Sequence, residues 1–581
     1  MESTETGRIL KFGSIELDVH LRELRTGSTR VRLQEQPFEI LRLMLERPGD
    51  VVTREQLRQR LWPAGTYVDF EHSLNAAVKR LRAALGDDAD NPRFVETLPR
   101  RGYRFIARLD AAGSHRPVPP VAPRVRLAVL PFTNLSDDPA QEYFSDGLTE
   151  EMIAQLGCVS RGRIGVVARW SSMVFKGTTR RARDIGETLG VSHLVEGGVR
   201  REGDRVRITA RLVEAASETH LWSEVYEREL TDCLIVQTDV AACIARSLAM
   251  ELAPPADQLA GCDPIAYQAY LKGRYYWNKP FDEGLTDAIG YYQRAIAASP
   301  SFAAAHAALA RAHVARAEYY YVLPRQALKD AEAAALRALE LDPTLDEALL
   351  ALGDVRRMHD FDWSAAEAAY AEAIAHNPSY ESAHRTHGMM FSAQRRHADA
   401  IRASERAIEL DPLCLVVGTT AAWVRYAAGD FDVAIDQCRN TIDMDPEFMP
   451  ARRLLAAVYL QAGRLREALS ELETAASLTD GDSDPVLLAW LAHAKATAGA
   501  PREAAALLTR VRALERERYV PPYHVAIAYA GLKSVDAAFE MLDQAWLDRD
   551  PALGAVAVEP RLEPLRDDRR YRELLQRMNL G

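Results

Sequence analysis

The clearest alternation of apolar and polar positions lies at residues 69–105. Four apolar residues recur there at helical spacing: Leu74, Val78, Leu81 and Leu85. Small residues and one arginine fall on another face of the same helix: Ser73, Ala76, Ala77 and Arg80. This spacing predicts a helix with one buried face. Because its other face is small and ends in an arginine, such a helix can lie in the major groove of duplex DNA without clashing.

The residues after this helix predict a β-hairpin. Residues 93–105 are short, β-rich and basic, with Arg100, Arg101 and Arg104 placed around Gly102 and Tyr103. A helix followed by a basic hairpin, or wing, is typical of a unit that reads duplex DNA.

The residues before the helix complete this unit. Thr53 and Gln56 form a capping box that predicts a helix running to about Trp62. An earlier helix is expected to start near Pro37 and to end at residues 48–49. Residues 10–33 alternate as β-strands do, with a turn at 26–28. The predicted order is a small sheet, three helices and a hairpin, which is an α+β fold.

These motifs together resemble the winged helix-turn-helix domain of the OmpR/PhoB type. The matching segments are LRQRLW at 57–62, VKRLRAALGD at 78–87, FVETL at 94–98 and RRGYRF around 101–104. The resemblance covers roughly residues 8–108 and implies sequence-specific DNA binding and control of transcription. It also implies that the loop at 63–69 contacts RNA polymerase.

The resemblance also implies which residues touch DNA. On the recognition helix these are Ser73, Ala76, Ala77, Arg80 and Arg82, and His72 and Lys79 lie beside them. On the wing they are Thr97, Arg100, Arg101 and Tyr103. The family often has larger polar residues where this chain has alanines, so fewer direct hydrogen bonds to bases are expected.

Some of these candidates also allow an ordinary structural interpretation. Lys79 and Arg82 could belong to a solvated helix face. Tyr103 could be half core and half wing surface, and His72 is better explained as a helix-start residue than as a switch or a ligand.

Residues 125–252 alternate short apolar strands with helical segments. Strands are expected at 125–132 and 163–168, in a pair that turns at 202–204, and in a further segment beginning THLWSEV. Helices are expected at 146–157, 185–189 and 230–252. This α/β region resembles the TolB-like, or FlgO-like, domain, which implies no activity. We expect Gly197 and Gly198 to form a strand bulge or a close packing contact.

Three acidic residues of this region could suggest a metal site: Asp137, Asp138 and Asp146. Their places beside strand and helix ends favour cap and turn roles instead. Neither a Ser/His/Asp set nor a Cys/His set stands out. The sequence therefore nominates no catalytic residue, metal or cofactor, and we expect a protein that is not an enzyme.

Residues 263–550 contain an internal repeat. Alanines recur at intervals of 34: Ala366, Ala400, Ala434 and Ala468. Small residues follow seven positions later, as at Ala373, Ala407, Thr441 and Ala475, and prolines close the units. The pattern resembles the tetratricopeptide repeat (TPR) in about seven or eight units. It implies an all-α superhelical solenoid whose groove binds a protein or peptide partner, with residues 551–581 as a cap.

Aromatic and histidine residues of the repeats allow two interpretations. Residues 275–277 and 319–321 are aromatic and could line the groove or pack between helices, with packing favoured. His384 and His387 share a face, but a lone pair makes a weak metal site, and satisfied or exposed histidines are favoured.

Length and charge change the picture in one respect. A chain of 581 residues is expected to form three or more domains. Residues 1–110 hold 19 Lys and Arg against 17 Asp and Glu, a net charge of +2. The remainder holds 53 against 66, a net charge of −13, which phosphate repels. DNA contact is therefore expected from the N-terminal domain at 1–110 alone.

Compartment is predicted from cysteines and hydropathy. Six cysteines are scattered without a CxxC motif, which suits a reducing cytoplasm. Residues 111–124 hold four prolines and predict a linker, and no apolar run of 18 residues could span a membrane. We therefore expect a cytoplasmic regulator that does not bind a membrane.

The sequence thus favours a transcription regulator built from a winged helix, an α/β domain and a repeat array. Domains of this kind often bind tandem half-sites, which suggests a dimer on DNA. The family is associated with phosphorelays, but no receiver domain precedes the winged helix here. The alternative is a TPR interaction scaffold that uses DNA binding mainly for localisation.

Overall fold

The computed structural model describes, apart from short gaps, residues 9–106, 125–229 and 263–581, together with Val240 and Cys243. The largest gap within the first stretch is 58–69. The chain divides into two compact units, Met1–Val121 and Ala122–Gly581, which are treated separately below. Predictions for the loop at 63–69 and the linker at 111–124 fall outside the described residues, as does nearly all of the helix predicted at 230–252.

The first unit opens with a four-stranded antiparallel sheet. Its strands, in spatial as well as chain order, are β1 (Ile9–Phe12), β2 (Ile15–Asp18), β3 (Glu23–Thr26) and β4 (Thr29–Arg32). The alternation seen at 10–33 is therefore confirmed as strands. Thr26 pairs with Thr29 across the predicted turn.

Two helices and a second sheet follow in the same unit. They are α1 (Glu35–Glu46), β5 (Val51–Thr53), α2 (Phe70–Leu85), β6 (Val95–Leu98) and β7 (Gly102–Phe105). The second sheet has the strand order β5-β7-β6, so the predicted hairpin pairs with a strand that precedes α2. This arrangement confirms the winged-helix order expected from the sequence.

The capping box at Thr53 is also confirmed. The Thr53 amide donates to Gln56 Oε1 at 2.8 Å, and the Gln56 amide donates to Thr53 Oγ1 at 3.2 Å. These two bonds satisfy amides that would otherwise lack partners at a helix start. The predicted end of this helix near Trp62 lies outside the described residues.

The second unit begins with a mixed six-stranded sheet. Its strands are β8 (Val125–Val129), β9 (Thr133–Asn134), β10 (Ile164–Val166), β11 (His193–Glu202), β12 (Arg205–Glu214) and β13 (Thr219–Glu229). The order is β10-β8-β11-β12-β13, with β9 paired to β11. The helices of this region are α3 (Glu142–Ser160), α4 (Arg169–Met173) and α5 (Ala182–Leu189).

The structure tests the roles predicted for the glycines and aspartates of this region. Gly197 is a close packing position, because a Cβ there would lie 2.1 Å from the Thr209 carbonyl oxygen. The bulge lies elsewhere in the sheet, between residues 212 and 213 of β12. Asp138 caps a short helix by accepting from the Ala140 amide, as predicted. The turn role expected for Asp146 is wrong, because its carboxylate binds Lys176 Nζ at 2.6 Å, and Asp137 is not described.

Within the described residues, eight helix pairs follow. They are α6 (Pro264–Trp277) with α7 (Phe281–Ala298), α8 (Ala303–Glu318) with α9 (Pro324–Leu341), α10 (Asp346–Val355) with α11 (Trp363–His376), α12 (Glu381–Ala393) with α13 (His397–Leu410), α14 (Leu415–Ala427) with α15 (Phe431–Met444), α16 (Met449–Gln461) with α17 (Leu465–Leu478), α18 (Pro485–Thr497) with α19 (Pro501–Leu514), and α20 (Pro522–Gly531) with α21 (Val535–Asp548). None of the described helices is both long enough and apolar enough to cross a bilayer.

The repeating small residues hold each pair together. Ala366, Ala400, Ala434 and Ala468 are completely buried, and the residues seven positions later are buried as well. Small side chains at these places let the paired helices cross closely. Gly429 and Gly463 adopt left-handed backbone angles, with φ of 81° and 73°, in the turns between paired helices.

The aromatic and histidine predictions are resolved in different ways. Tyr276 stacks on Tyr291 at 5.2 Å between ring centres, which is packing as expected. Tyr319 is 55% exposed, so about half of this side chain is not packed between helices. His384 Nε2 contacts the Pro378 carbonyl oxygen at 3.1 Å, which confirms a satisfied histidine. The same prediction is wrong for His387, whose Nε2 is buried without a hydrogen-bond partner.

The C-terminal segment 551–579 contacts several of the helix pairs. It forms two 3₁₀ turns, Pro551–Ala555 and Pro560–Leu565, and helix α22 (Arg569–Arg577). Helix α22 packs on the last repeat, where Arg577 binds Asp543 at 2.7 Å. The rest of the segment reaches much further than a cap would.

Contacts of this segment extend over most of the array. Trp363 Nε1 of the third pair donates to the Met578 carbonyl oxygen at 2.7 Å. Arg395, in the turn of the fourth pair, donates to the Ala557 carbonyl oxygen at 3.1 Å. The same segment also reaches the fifth and seventh pairs through residues 559 and 561. The chain itself therefore covers part of the repeat surface at these pairs.

A buried ion pair anchors this segment. Arg561 Nε donates to Glu559 Oε1 at 2.8 Å, and the two side chains are only 4% and 3% exposed. The Tyr426 hydroxyl also donates to Glu559, at 2.7 Å. The guanidinium lies 3.9 Å from the ring centre of Trp490. Burial alone would raise the pKa of Glu559, but the Arg561 guanidinium outweighs it and holds the pKa at about 2.

The substitution Arg561→Met should destabilise the second unit strongly. It leaves a buried carboxylate without its cation, which costs roughly 3–5 kcal/mol. The deficit should shrink as the pH falls from about 7 to about 3. The wild-type ion pair loses its contribution as the pH falls below the unfolded carboxyl pKa, whereas the unpaired carboxyl of the variant is relieved by protonation. Urea unfolding followed by tryptophan fluorescence measures both effects.

The matched control is Arg569→Met, which removes an ion pair whose arginine side chain is 85% exposed. It should change the unfolding free energy by no more than about 1 kcal/mol. Equal losses in the two variants would contradict an anchoring role for Arg561.

Candidate nucleic-acid interface

The buried face of α2 confirms the apolar stripe read from the sequence. Leu74 and Leu81 are completely buried, and Val78 and Leu85 are nearly so. They pack with Phe38, Leu41, Met44 and other residues of α1 in one hydrophobic cluster. This packing fixes the rotation of α2 about its axis and therefore decides which side chains face outward.

The outward face of α2 carries two cations. Lys79 and Arg80 are both exposed. The side chains of His72, Ser73 and Ala76 are not among those described. Ala77 is completely buried in the α1–α2 cluster, so its expected place on the DNA-facing surface is wrong. A methyl group fits a helix–helix contact as well as it fits a groove, and spacing alone does not separate the two.

Arg82 fastens α2 to the hairpin. Its Nη2 donates to the Val95 carbonyl oxygen at 2.7 Å and to Thr97 Oγ1 at 2.8 Å. Arg82 is therefore not simply part of a solvated face, and its contact with phosphate stays a prediction. The Thr97 side chain is exposed, but its hydroxyl oxygen accepts from this arginine and so helps to hold the wing against α2.

Asp87 makes a second connection that sequence reasoning missed. Its carboxylate accepts from the amides of Arg93, Phe94 and Val95 at 2.6, 3.2 and 2.8 Å. Three backbone donors on one carboxylate hold the start of β6 close in space to the end of α2. An acidic residue just past the end of a helix and before a strand is the sequence signal that could have indicated this role.

Within β6, β7 and the turn between them, one described arginine is exposed to solvent. Glu96 pairs with Arg104 across the strands, and Arg104 Nη2 lies 2.6 Å from Glu96 Oε2, so this charge is neutralised. Arg101 lies in the turn and is exposed. Arg100 is not described. The wing is therefore less basic in effect than its sequence suggests.

Tyr103 belongs to the core. It is 2% exposed, and the Arg54 guanidinium lies 5.5 Å from its ring centre. Its expected contact with DNA is therefore wrong, because β7 is the middle strand of its sheet and this side chain points into the cluster of α1 and α2. The neighbouring Gly102 is required by close approach, since a Cβ there would lie 2.0 Å from the Val52 carbonyl oxygen.

The resulting geometry has a clear physical character. A helix with exposed Lys79 and Arg80 is held by Arg82 and Asp87 to a hairpin whose turn exposes Arg101. Cations on two rigidly connected elements can neutralise phosphates and position a helix in a groove. The arrangement contains no set of side chains suited to covalent chemistry among these described residues.

Comparison with known proteins agrees with this geometry. Residues 28–105 match the family model described as transcriptional regulatory protein, C terminal. Residues 425–491 match a tetratricopeptide repeat model. The chain is a DNA-binding transcriptional regulator that carries a tetratricopeptide repeat region.

Individual relatives cover different shares of the chain. The putative adenylate cyclase 3 of Rhizobium meliloti is 36% identical over 197 residues, which are 33% of this chain and 33% of that protein. The transcriptional regulator HilA of Salmonella typhimurium is 23% identical over 423 residues, which are 71% of this chain and 72% of HilA. The RstA DNA-binding domain of Klebsiella pneumoniae, solved with the RstA box, is 28% identical, with a TM-score of 0.16 and coverage of 17% of this chain and 96% of that domain.

The substitution Asp87→Asn should loosen the hairpin. An amide keeps an acceptor oxygen but loses the charge, and it places an NH₂ group against at least one backbone donor. Loss of such charge-assisted bonds costs about 1–3 kcal/mol. Faster hydrogen exchange at the amides of residues 93–95 in the full chain should report it.

Glu96→Gln serves as the control, because it removes a partly exposed ion pair in the same hairpin. Exchange at residues 93–95 should then change by less than about 1 kcal/mol. If Asp87→Asn leaves exchange unchanged, the carboxylate does not hold the wing in place.

Proposed function

We propose that the first unit binds specific promoter DNA, with α2 in the major groove and the β6–β7 hairpin beside the adjacent minor groove. The observation that carries this proposal is the attachment of α2 to the hairpin by Arg82 and Asp87, with Lys79, Arg80 and Arg101 left exposed. A fixed angle between helix and wing sets the register on the duplex.

Each exposed cation has a proposed role. Arg80 lies on the outward face of α2 and is assigned to a base edge, where arginine recognises guanine. Arg101, in the hairpin turn, is assigned to backbone phosphate. The residues that remain candidates for further contacts are His72, Ser73, Ala76, Lys79, Arg82, Thr97 and Arg100. Since Ala77 is buried, direct base readout depends on even fewer side chains, and DNA shape is expected to contribute to specificity.

The second unit is proposed to receive a signal. Its mixed sheet and helices support a TolB-like domain, which would connect the DNA-binding unit with the repeats. A protein partner would use the outer helices or displace the segment 551–579. Contacts with RNA polymerase and dimerisation on DNA belong to the same proposal. Cyclase activity is not part of it, because the adenylate cyclase match covers a third of that protein.

In vitro selection of duplex DNA by the full chain tests the proposal. We expect an enriched motif that then directs binding at natural promoters. Absence of enrichment would reject sequence-specific regulation and favour the interaction scaffold.

Arg80→Ala and Arg101→Ala should fail in different ways. Arg80→Ala should cost roughly 1–3 kcal/mol on the selected site and relax the base preference at one position. Arg101→Ala should weaken all sequences evenly and reduce the slope of log K against log salt by about one. Fluorescence anisotropy with selected and scrambled duplexes at several salt concentrations measures both.

Arg42→Ala is the charge-matched control in the same unit, because Arg42 binds Glu39 on α1 at 3.0 Å. The DNA affinity of this variant should stay within about twofold of wild type, as expected for an arginine assigned no DNA contact. Equal losses for Arg80→Ala and Arg101→Ala on every sequence would refute base readout by Arg80.

A further inference from the structure

A large cavity lies within the second unit, between α3 and the first five helix pairs. Its volume is about 1120 Å³. The walls come from α3 and α4 of the α/β region and from α6, α7, α8, α10, α12 and α14 of the repeats. This is the size of a site for a small organic molecule, and sites of that kind are often found where two domains meet.

Charged side chains line the cavity in unequal numbers. Seven carboxylates face five cationic groups. Of the cations, Arg274 bonds Glu150 and Glu347 at 2.5 Å each, and Arg311 bonds Asp354 at 2.5 Å. These arginines are already neutralised by the protein.

Several lining carboxylates are bonded by neutral donors instead. Glu151 accepts from the Tyr270 hydroxyl at 2.6 Å. Asp346 accepts from the Asn377 amide at 2.7 Å, and Glu381 accepts from the Ser382 hydroxyl at 2.6 Å. Arg274 still acts electrostatically on Glu151 and Asp346, and Arg385 acts on Glu381. None of the three carboxylates forms a direct ion pair in these contacts, so a ligand cation can still approach them.

One buried hydroxyl points independently to an occupant. Tyr292 is completely buried, lines the cavity, and its hydroxyl has no hydrogen-bond partner. Its ring packs against Gly273, where a Cβ would lie 2.4 Å from the ring. An orphaned buried hydroxyl is costly unless a ligand or an ordered water satisfies it.

The lining also includes exposed aromatic rings. Trp170 of α4 is 49% exposed, and Tyr319 in the turn after α8 is 55% exposed. Exposed tryptophan and tyrosine faces attract cations and lose little by contact with an organic group.

We propose that this cavity binds a small organic cation, an amine or a quaternary ammonium compound, whose charge meets Glu151, Asp346 and Glu381 while Trp170 and Tyr319 cover its apolar part. The ligand touches both the α/β region and the repeats, so it can act as the signal assigned to this unit. This inference deepens the proposed function. Its test measures ligand binding without DNA, so the two proposals can fail separately.

An anionic ligand fits the lining less well. Arg385 and Lys279 also line the cavity, and the side-chain contacts of Arg385 include Met389 Sδ at 3.7 Å. An anion near Arg385 would still face the surplus of carboxylates, including Glu381 close by in the chain.

Binding of a cation should become tighter as the pH rises. Burial raises the pKa of Glu151 to about 7, against the opposing effects of Arg274 and the Tyr270 hydroxyl and with the support of Glu347 and Glu150. Protonated Glu151 offers no charge to the ligand. Burial also raises the pKa of Asp346, to about 6. Affinity should therefore rise between about pH 5.5 and about pH 8 as these two carboxyls ionise, with release of protons on binding.

The experiment titrates the full chain with spermidine, choline and sodium glutamate at matched ionic strength, by calorimetry and tryptophan fluorescence. We expect spermidine or choline to bind. Glu381→Gln should weaken that binding by about tenfold or more, because it removes a partly buried charge contact. Trp170→Ala should weaken it by about two- to fivefold. Glu372→Gln, which removes an exposed carboxylate of α11 outside the cavity, should leave it unchanged.

Three outcomes would overturn the proposal. They are no binding of either cation, binding that both cavity variants retain, and binding of glutamate alone. The second outcome would show that spermidine binds only the acidic surface of the protein.

Discussion

Burial of helix α3 on two sides is the contact on which the second unit depends. One side packs on the mixed sheet through Phe144, Leu148 and Met152. The other side meets the repeats, where a Cβ on Gly147 would lie 2.8 Å from Leu271 and one on Gly157 would lie 2.5 Å from Asn377. Because these glycines allow close approach, sheet and repeats share one hydrophobic core. The same helix spans the junction, and its polar residues Glu150 and Glu151 line the cavity there.

The first unit is built on an equivalent constraint at smaller scale. Its recognition helix has one apolar face, and packing on α1 leaves only a narrow outward face for DNA. The two connections to the hairpin, through Arg82 and Asp87, are polar and lie at the end of the helix. The residues that stabilise this unit are therefore different from those proposed to recognise DNA, with one exception. The exception is Arg82, which the sequence assigned to DNA and which binds the hairpin in the structure.

Local pattern predicted those parts of the fold that depend on neighbours in sequence. The 34-residue spacing located the buried alanines of the repeats, and the spacing at Leu74 to Leu85 located the core face of α2. Residues such as Ala77 and Tyr103 were misplaced because a small or amphipathic side chain suits both core and surface. The cavity and the course of residues 551–579 could not be predicted, because they depend on contacts between positions more than a hundred residues apart, such as Trp363 with Met578.

The contacts of residues 551–579 with several helix pairs also affect the mechanical behaviour of the array. A solenoid whose repeats touch only their neighbours behaves as a chain of nearly independent links, which can bend elastically and fray from either end. Here one segment joins the third, fourth, fifth and seventh pairs through residues 578, 557, 559 and 561. Because this segment connects pairs that are not neighbours, we expect the repeats to be stiffer and to unfold as a single cooperative unit.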